Sequence, residues 1–201
     1  MISTENNIPM VNGLILAGGK SERMGTAKDR IHWHGKEQRY FAADLLQYFC
    51  EQVYISCRLE QVSEINQSYD SLPDTFLNMG PMGGMLSAFR VQPDRAWLIV
   101  ACDLPLLSAK TLDFLLRNRD YTKLATTFES SFDGKPEPLI AIWEPCSYTA
   151  LLQSLGEGIT CPRRVLLNHE ILILKPLDDI SLMNVNTPKD AEIAKAILAE
   201  R

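Results

Sequence analysis

Histidine is scarce in this chain, three residues in 201, and the five cysteines, Cys50, Cys57, Cys102, Cys146 and Cys161, include no Cys-x-x-Cys pair. An odd, scattered set of thiols excludes a disulfide framework and a zinc-finger spacing, and predicts reduced, mostly buried cysteines. His32 and His34 alternate around Trp33, a period that puts both on one face of a strand, but no further metal ligand stands near them. No histidine or cysteine nucleophile is evident. Long apolar runs are missing as well. Nothing approaches the roughly 18 residues of a membrane span, and the opening MISTENNIPM holds no apolar core of a leader peptide. The expectation is a cytoplasmic protein, with no membrane association, whose residues 1–10 form a loose tail. Basic excess is also lacking: a net charge of -5 argues against a broad nucleic-acid-binding surface. A small anionic ligand would need only a local basic pocket.

What is present is the mixture of a soluble globular protein, 46% hydrophobic and 22% charged. The length suits a single domain over residues 1–201 with a core of its own. Strand-like and helix-like patterns alternate without repeats or a linker. Short apolar runs predict strands at Gly13–Leu16, Gln52–Ser56, Trp97–Ala101, Leu124–Phe128, Leu139–Trp143 and Ile171–Leu174. Ala42, Leu45, Leu46 and Phe49 share one helical face, and further helices are expected over Met82–Arg90, after an N-cap at Ser108, near Ser147–Leu155 and Pro162–Leu167, and from Pro188 onward. Alternation of this kind predicts an α/β sandwich with a mainly parallel sheet. In such sheets ligands collect beyond the carboxyl ends of the strands. The glycine loop after Leu16 and Asp103 after Ala101 are both expected there.

The loop reads LILAGGKSERMGTAK, residues 14–28. A Walker A loop would need a glycine at Leu14, and a Rossmann G-x-G-x-x-G would need one at Lys20, so neither is present. Gly18, Gly19 and Gly25 nonetheless allow backbone N–H groups to approach an oxyanion closely. Lys20, Arg23 and Lys28 add cations that suit phosphate oxygens. In an acidic chain this local focus predicts a polyphosphate ligand; a solvated surface turn is the competing reading.

Asp103, in VACDLPLL, places a carboxylate at the end of an apolar strand, where a lone buried charge is costly unless a cation compensates it. A Mg²⁺ bridging Asp103 and phosphate oxygens would do so, and an aspartate capping the next turn is the alternative. DTFLNMGPMGG, residues 74–84, brings Asp74 and a second glycine-dense loop to a helix N-terminus, another edge suited to an anion or a base, unless it is a plain Gly/Pro turn.

Together these stretches resemble the nucleotidyltransferase superfamily that carries an L-A-G-G-x-S-x-R-M-G-x-x-K loop. The likeness is closest to its molybdenum cofactor guanylyltransferase family, also called molybdopterin-guanine dinucleotide biosynthesis protein A. LAGGKSERMGTAK (residues 16–28), GPMGGM (80–85), CDLPLL (102–107), PLIAI (138–142) and NVNTPKD (184–190) follow the family's order and span nearly the whole chain after residue 12.

The resemblance implies a Rossmann-like three-layer sandwich with a mainly parallel, mixed sheet, like that of the nucleotide-diphospho-sugar transferases. It implies that the terminal phosphate of molybdopterin, with or without molybdenum, attacks the α-phosphorus of GTP and releases pyrophosphate. Leu16, Ala17, Gly18, Gly19, Lys20, Ser56, Asp74 and Gly80 would line the nucleotide. Lys28 and Arg23 would act on its phosphates, and Asp103 would bind Mg²⁺. Asn184 and Asn186, with Arg163 and Arg164, would face the pterin. Transient contact with other proteins of molybdenum cofactor biosynthesis or with acceptor enzymes also follows from the likeness. Three positions depart from the family pattern: Ala27 replaces a frequent Asp and is followed by Asp29, Ser56 stands where Asn is frequent, and GEGITCPRRVLL (156–167) aligns loosely. A related enzyme using CTP or a sugar phosphate is the rival within the class, and a catalytically silent nucleotide-binding protein is the rival outside it.

Overall fold

The computed structural model describes residues 9–17 and 28–200, Lys28 by its backbone alone. Its centre is a seven-stranded sheet, formed by β1 (Val11–Leu16), β2 (Val53–Cys57), β3 (Asp70–Pro73), β4 (Ala96–Ala101), β5 (Ala125–Glu129), β6 (Pro136–Trp143) and β7 (Leu172–Leu174). The order across the sheet is β3-β2-β1-β4-β6-β5-β7. β6 alone runs against its neighbours, because a tight turn folds it back on β5, closed by Ser130 N–H donating to Lys135 O at 2.8 Å.

Each central strand is apolar on both faces, as a strand covered on two sides must be. In β4, Leu98 and Val100 pack into one layer with α1 (Gln38–Gln47) and α3 (Ala109–Arg117). Trp97 and Ile99 point the other way, into a layer with α2 (Pro81–Val91), α4 (Ser147–Gly156) and α5 (Pro162–Leu167). The result is the expected three-layer α/β sandwich. A smaller cluster joins Leu106 and Val185 to Ala194 of α6 (Pro188–Ala199), with Trp33 against it.

Caps explain the helix starts. Ser108 Oγ accepts from Thr111 N–H at the head of α3, and Thr187 and Asp190 form a reciprocal capping box at the head of α6.

Several expectations are corrected. His32–His34 is no strand: His32 makes one isolated bridge to Glu37, and the His34 ring stacks on Phe41 with centroids 3.6 Å apart, its Nε2 2.8 Å from Pro105 O. Gly35, with φ +78°, turns the chain there before strand pairing can extend. β3 has no apolar alternation to announce it, and it survives as an edge strand paired only with β2. Of the expected tail, residues 1–8 lie outside the described residues, while Pro9 O accepts from Arg119 Nη1 at 2.8 Å and Met10 O from Ala96 N–H at 3.0 Å. All five thiols are free, but Cys146 and Cys161 are exposed, while burial pushes Cys50 up to about 12 and Cys57 up to about 11.

Candidate active site at the carboxyl ends of the central strands

The strand register makes the crevice. Leu16 lies opposite Ser56 on β2 and opposite Ala101 on β4, so three parallel strands end level with one another. Ala17 is buried just past that edge, its N–H donating to Ser56 O at 3.2 Å. Gly18, Gly19, Lys20 and Arg23 lie outside the described residues, as does the Lys28 side chain. The Lys28 backbone opens a 3-10 turn, Lys28–Arg30.

On one side of the edge, Asp74 leaves β3 with its N–H donating to Cys57 O at 2.8 Å. Ser56 Oγ donates to Asp74 Oδ1 at 2.6 Å. Burial raises the Asp74 carboxyl above its ordinary value, opposed by this hydrogen bond and by the charge of Arg58. Ser56 itself is only 2% exposed, with its hydroxyl directed at Asp74. α2 starts immediately beyond, behind Gly80 at φ 55° and ψ -139°, a conformation that disfavours any side chain. A Cβ on Gly84 would lie 2.5 Å from Ser56 Oγ, 2.8 Å from Leu16 Cδ2 and 3.4 Å from Asp74 Oδ1. The first turn of α2 is therefore pressed against Leu16, Ser56 and Asp74, and its positive dipole end faces the crevice.

On the other side, Asp103 follows β4. Its main-chain oxygen accepts from Val185 N–H at 2.8 Å, which brings the 184–186 segment to the same edge. Asn184 is exposed and lines a small cleft with Leu104, Glu137, Leu139, Ile140 and Leu182. Asn186 is exposed, and its N–H donates to Asp190 Oδ2 at 3.0 Å. Because β6 is antiparallel, its first residues reach this edge too. Arg163 does not present a free cation there: it donates to Glu137 Oε2 at 2.9 Å and Asp133 Oδ2 at 3.3 Å, tying α5 to the β5–β6 turn. Arg164 is exposed on α5 and makes no ion pair among the described residues.

The buried polar residues behind the crevice gave no signal in the sequence. Gln38 and Arg39, 2% and 3% exposed, head α1, and Arg39 pairs with buried Asp29 at 3.3 Å. Burial raises the Asp29 carboxyl, with the Arg39 charge opposing. Glu-Gln-Arg at the start of an amphipathic helix reads as a solvated face. Only the tertiary contacts turn it inward.

Residues 13–172 match the family described as the MobA-like NTP transferase domain. The chain belongs to this family. As a MobA-like protein it is a nucleotidyltransferase, and its relatives bear on molybdenum cofactor biosynthesis. It is 32% identical over 191 residues to a probable molybdenum cofactor guanylyltransferase from Carboxydothermus hydrogenoformans, covering 89% of this chain and 91% of that one. It is also 32% identical over 179 residues to a molybdenum cofactor biosynthesis bifunctional protein from Synechocystis sp., covering 89% of this chain but only 52% of that longer protein. Among solved structures, molybdopterin-guanine dinucleotide biosynthesis protein A from Archaeoglobus fulgidus has the same fold, with a TM-score of 0.75 at 22% identity over 94% of this chain and 100% of that one.

Proposed function

We propose that this protein transfers GMP from GTP to the terminal phosphate of molybdopterin, releasing pyrophosphate and forming the guanine dinucleotide cofactor. The observation that carries the reading is the hydrogen bond from Val185 N–H to Asp103 O: it joins the edge where Leu16, Ser56 and Asp74 meet to the Asn184–Asn186 segment. A donor nucleotide and an acceptor could thus lie across one crevice.

The chemistry asks for little beyond alignment. An acceptor phosphate is already ionised at neutral pH, so no general base is needed; its oxygen forms the new bond to the α-phosphorus as the bond to the departing pyrophosphate breaks. Asp74 and Gly80 would receive the nucleoside, and the N-terminus of α2 would favour the negative charge of the nucleotide's phosphates. Arg23, Lys20 and Lys28 would neutralise the phosphates as charge moves. Asn184, Asn186 and Arg164 would face the acceptor.

Asp103 offers a hard carboxylate oxygen at the strand edge, the donor that Mg²⁺ takes together with substrate phosphates. Bound there, the ion would offset charge on the triphosphate and the leaving pyrophosphate. Among the described residues no helix is long and apolar enough to cross a membrane. A cytoplasmic site of action, with transient hand-over to acceptor proteins, completes the proposal.

The deciding experiment incubates the protein with molybdopterin, Mg²⁺ and an equimolar mixture of GTP, CTP, ATP and UTP, and weighs the product by mass spectrometry. The guanine dinucleotide is expected. A cytosine product would replace the donor, and no dinucleotide at all would remove the reading.

A further inference from the structure

We infer that the head of α1 is a brace that sets the distance between the Lys28 turn and the Asp103 loop, with Arg39 as its positioning residue. The role in turnover rests on the function proposed above, whereas the brace itself does not.

Two adjacent buried side chains reach in different directions. Arg39 Nη1 donates to Asp29 Oδ2 at 3.3 Å, beside Lys28 in the 3-10 turn. The same guanidinium donates from Nε to Glu37 Oε2 at 2.7 Å and from Nη2 to Glu64 O at 3.3 Å, so it is held on three sides. Gln38 Nε2 donates to Leu104 O at 3.3 Å, one residue past Asp103, and Gln38 N–H donates to Ile31 O at 2.9 Å. The His34 contact with Pro105 O runs parallel to these. The stretch 34–39 therefore touches both the segment carrying Lys28 and the segment carrying Asp103, and no backbone pairing joins residues 28–30 to β4.

The chemistry favours geometry as the purpose. A buried ion pair returns little net stability, because desolvation of both charges offsets their attraction, but it admits few arrangements. Arg presents a planar fork that can serve Asp29, Glu37 and a carbonyl at once; Lys cannot. Removing the fork should leave the sheet intact and let the Lys28 turn drift. Drift of about 1 Å in such a group costs on the order of 100-fold in rate.

The test compares Arg39→Lys with the wild-type chain, and Asp29→Asn serves as a second variant should the first not fold. Hydrogen exchange followed by mass spectrometry is expected to show faster exchange in residues 28–31, with β1 and β4 unchanged; unaltered exchange in 28–31 overturns the brace, whatever the protein's substrate. In turnover, kcat is expected to fall at least tenfold while affinity for guanosine stays unchanged. The loss is expected to vanish on a Lys28→Ala background, because Arg39 acts through that turn. Losses that multiply, or an equal fall for GTP and guanosine binding, overturn the positioning role. A wild-type chain that transfers no GMP would remove the proposed function, and the exchange result would still decide the brace.

Discussion

Ser56 and Asp74 act as one unit: the buried serine hydroxyl donates to the aspartate Oδ1 at 2.6 Å, across two neighbouring strands that end at the crevice. In the function proposed above, Ser56 would act on a nucleotide by aiming the carboxylate. Ser56→Ala is expected to weaken guanosine and GTP binding together, by about 10-fold or more, since one neutral-to-charged hydrogen bond contributes about 1.5–3 kcal/mol. Calorimetry on both ligands checks this, and a loss confined to GTP would move Ser56 to the phosphate side.

The same pair sets a pH dependence. Burial raises the Asp74 carboxyl in the folded chain, so between its ordinary value of 3.8 and the raised one the folded state holds more proton than the unfolded state. Stability from this group then falls as pH rises through that window, and the penalty is constant above it. Asp74→Asn should therefore gain melting temperature relative to wild type as pH climbs out of the acid range, while losing nucleoside affinity. A difference in Tm that is flat with pH would contradict the burial argument.

At Gly84, α2 lies directly against the ends of β1 and β2. An added Cβ would sit 2.5 Å from Ser56 Oγ and 2.8 Å from Leu16 Cδ2, so the Ser56 hydroxyl and the Leu16 side chain would have to shift. Gly84→Ala is expected to cost about 1–3 kcal/mol and to disturb the Asp74 carboxylate. Gly156→Ala is the control: it meets nothing within 4 Å and lies at the end of α4, so it should be neutral or stabilising by up to about 1 kcal/mol. Thermal or urea unfolding of the two variants separates the close approach from a general glycine effect.

Arg119 and Glu144 offer a contrast away from the crevice. Two bonds of 2.7 Å join guanidinium to carboxylate, with Glu144 only 1% exposed. Arg119→Met would leave that carboxylate buried without its cation and release Pro9, at a cost of about 3–5 kcal/mol. The folded fraction should retain nucleotide affinity unchanged. Urea unfolding beside GTP titration reads both, and lost affinity in folded protein would tie this pair to the site.

Legibility in the sequence followed burial. β1 and β4 were evident because both faces of each are covered, which leaves an uninterrupted apolar run ending at Leu16 and Ala101. α5, the cap at Ser108 and the start of α6 at Pro188 were evident from proline and serine chemistry. β3, reading DSLP, was not, because an edge strand needs one partner and little apolar pattern. His32–His34 misled for the opposite reason: an alternating triplet without a neighbouring strand is a loop. Motif and position singled out Asp74, Asp103 and Asn184, which the fold brings to one edge of the sheet. They did not single out Arg39, since its burial depends on Asp29 and Glu64, residues 10 and 25 positions away. Arg163 shows the same limit, its charge being taken up by Asp133 and Glu137.

In the function proposed above, Asp103 and Lys28 would meet the triphosphate from different segments, so their variants should fail differently. The main-chain oxygen of Asp103 accepts from Val185 N–H, a contact that Asp103→Ala preserves. That variant is expected to keep a cooperative thermal transition and lose most turnover, with Mg²⁺ no longer strengthening GTP binding. Lys28→Ala should instead weaken GTP more than guanosine, because a point cation addresses phosphates and leaves the base alone. Titrations of both ligands, with and without Mg²⁺, separate the cases. Full turnover in Asp103→Ala would take the metal away from this carboxylate, and equal losses of GTP and guanosine in Lys28→Ala would move that lysine off the phosphates.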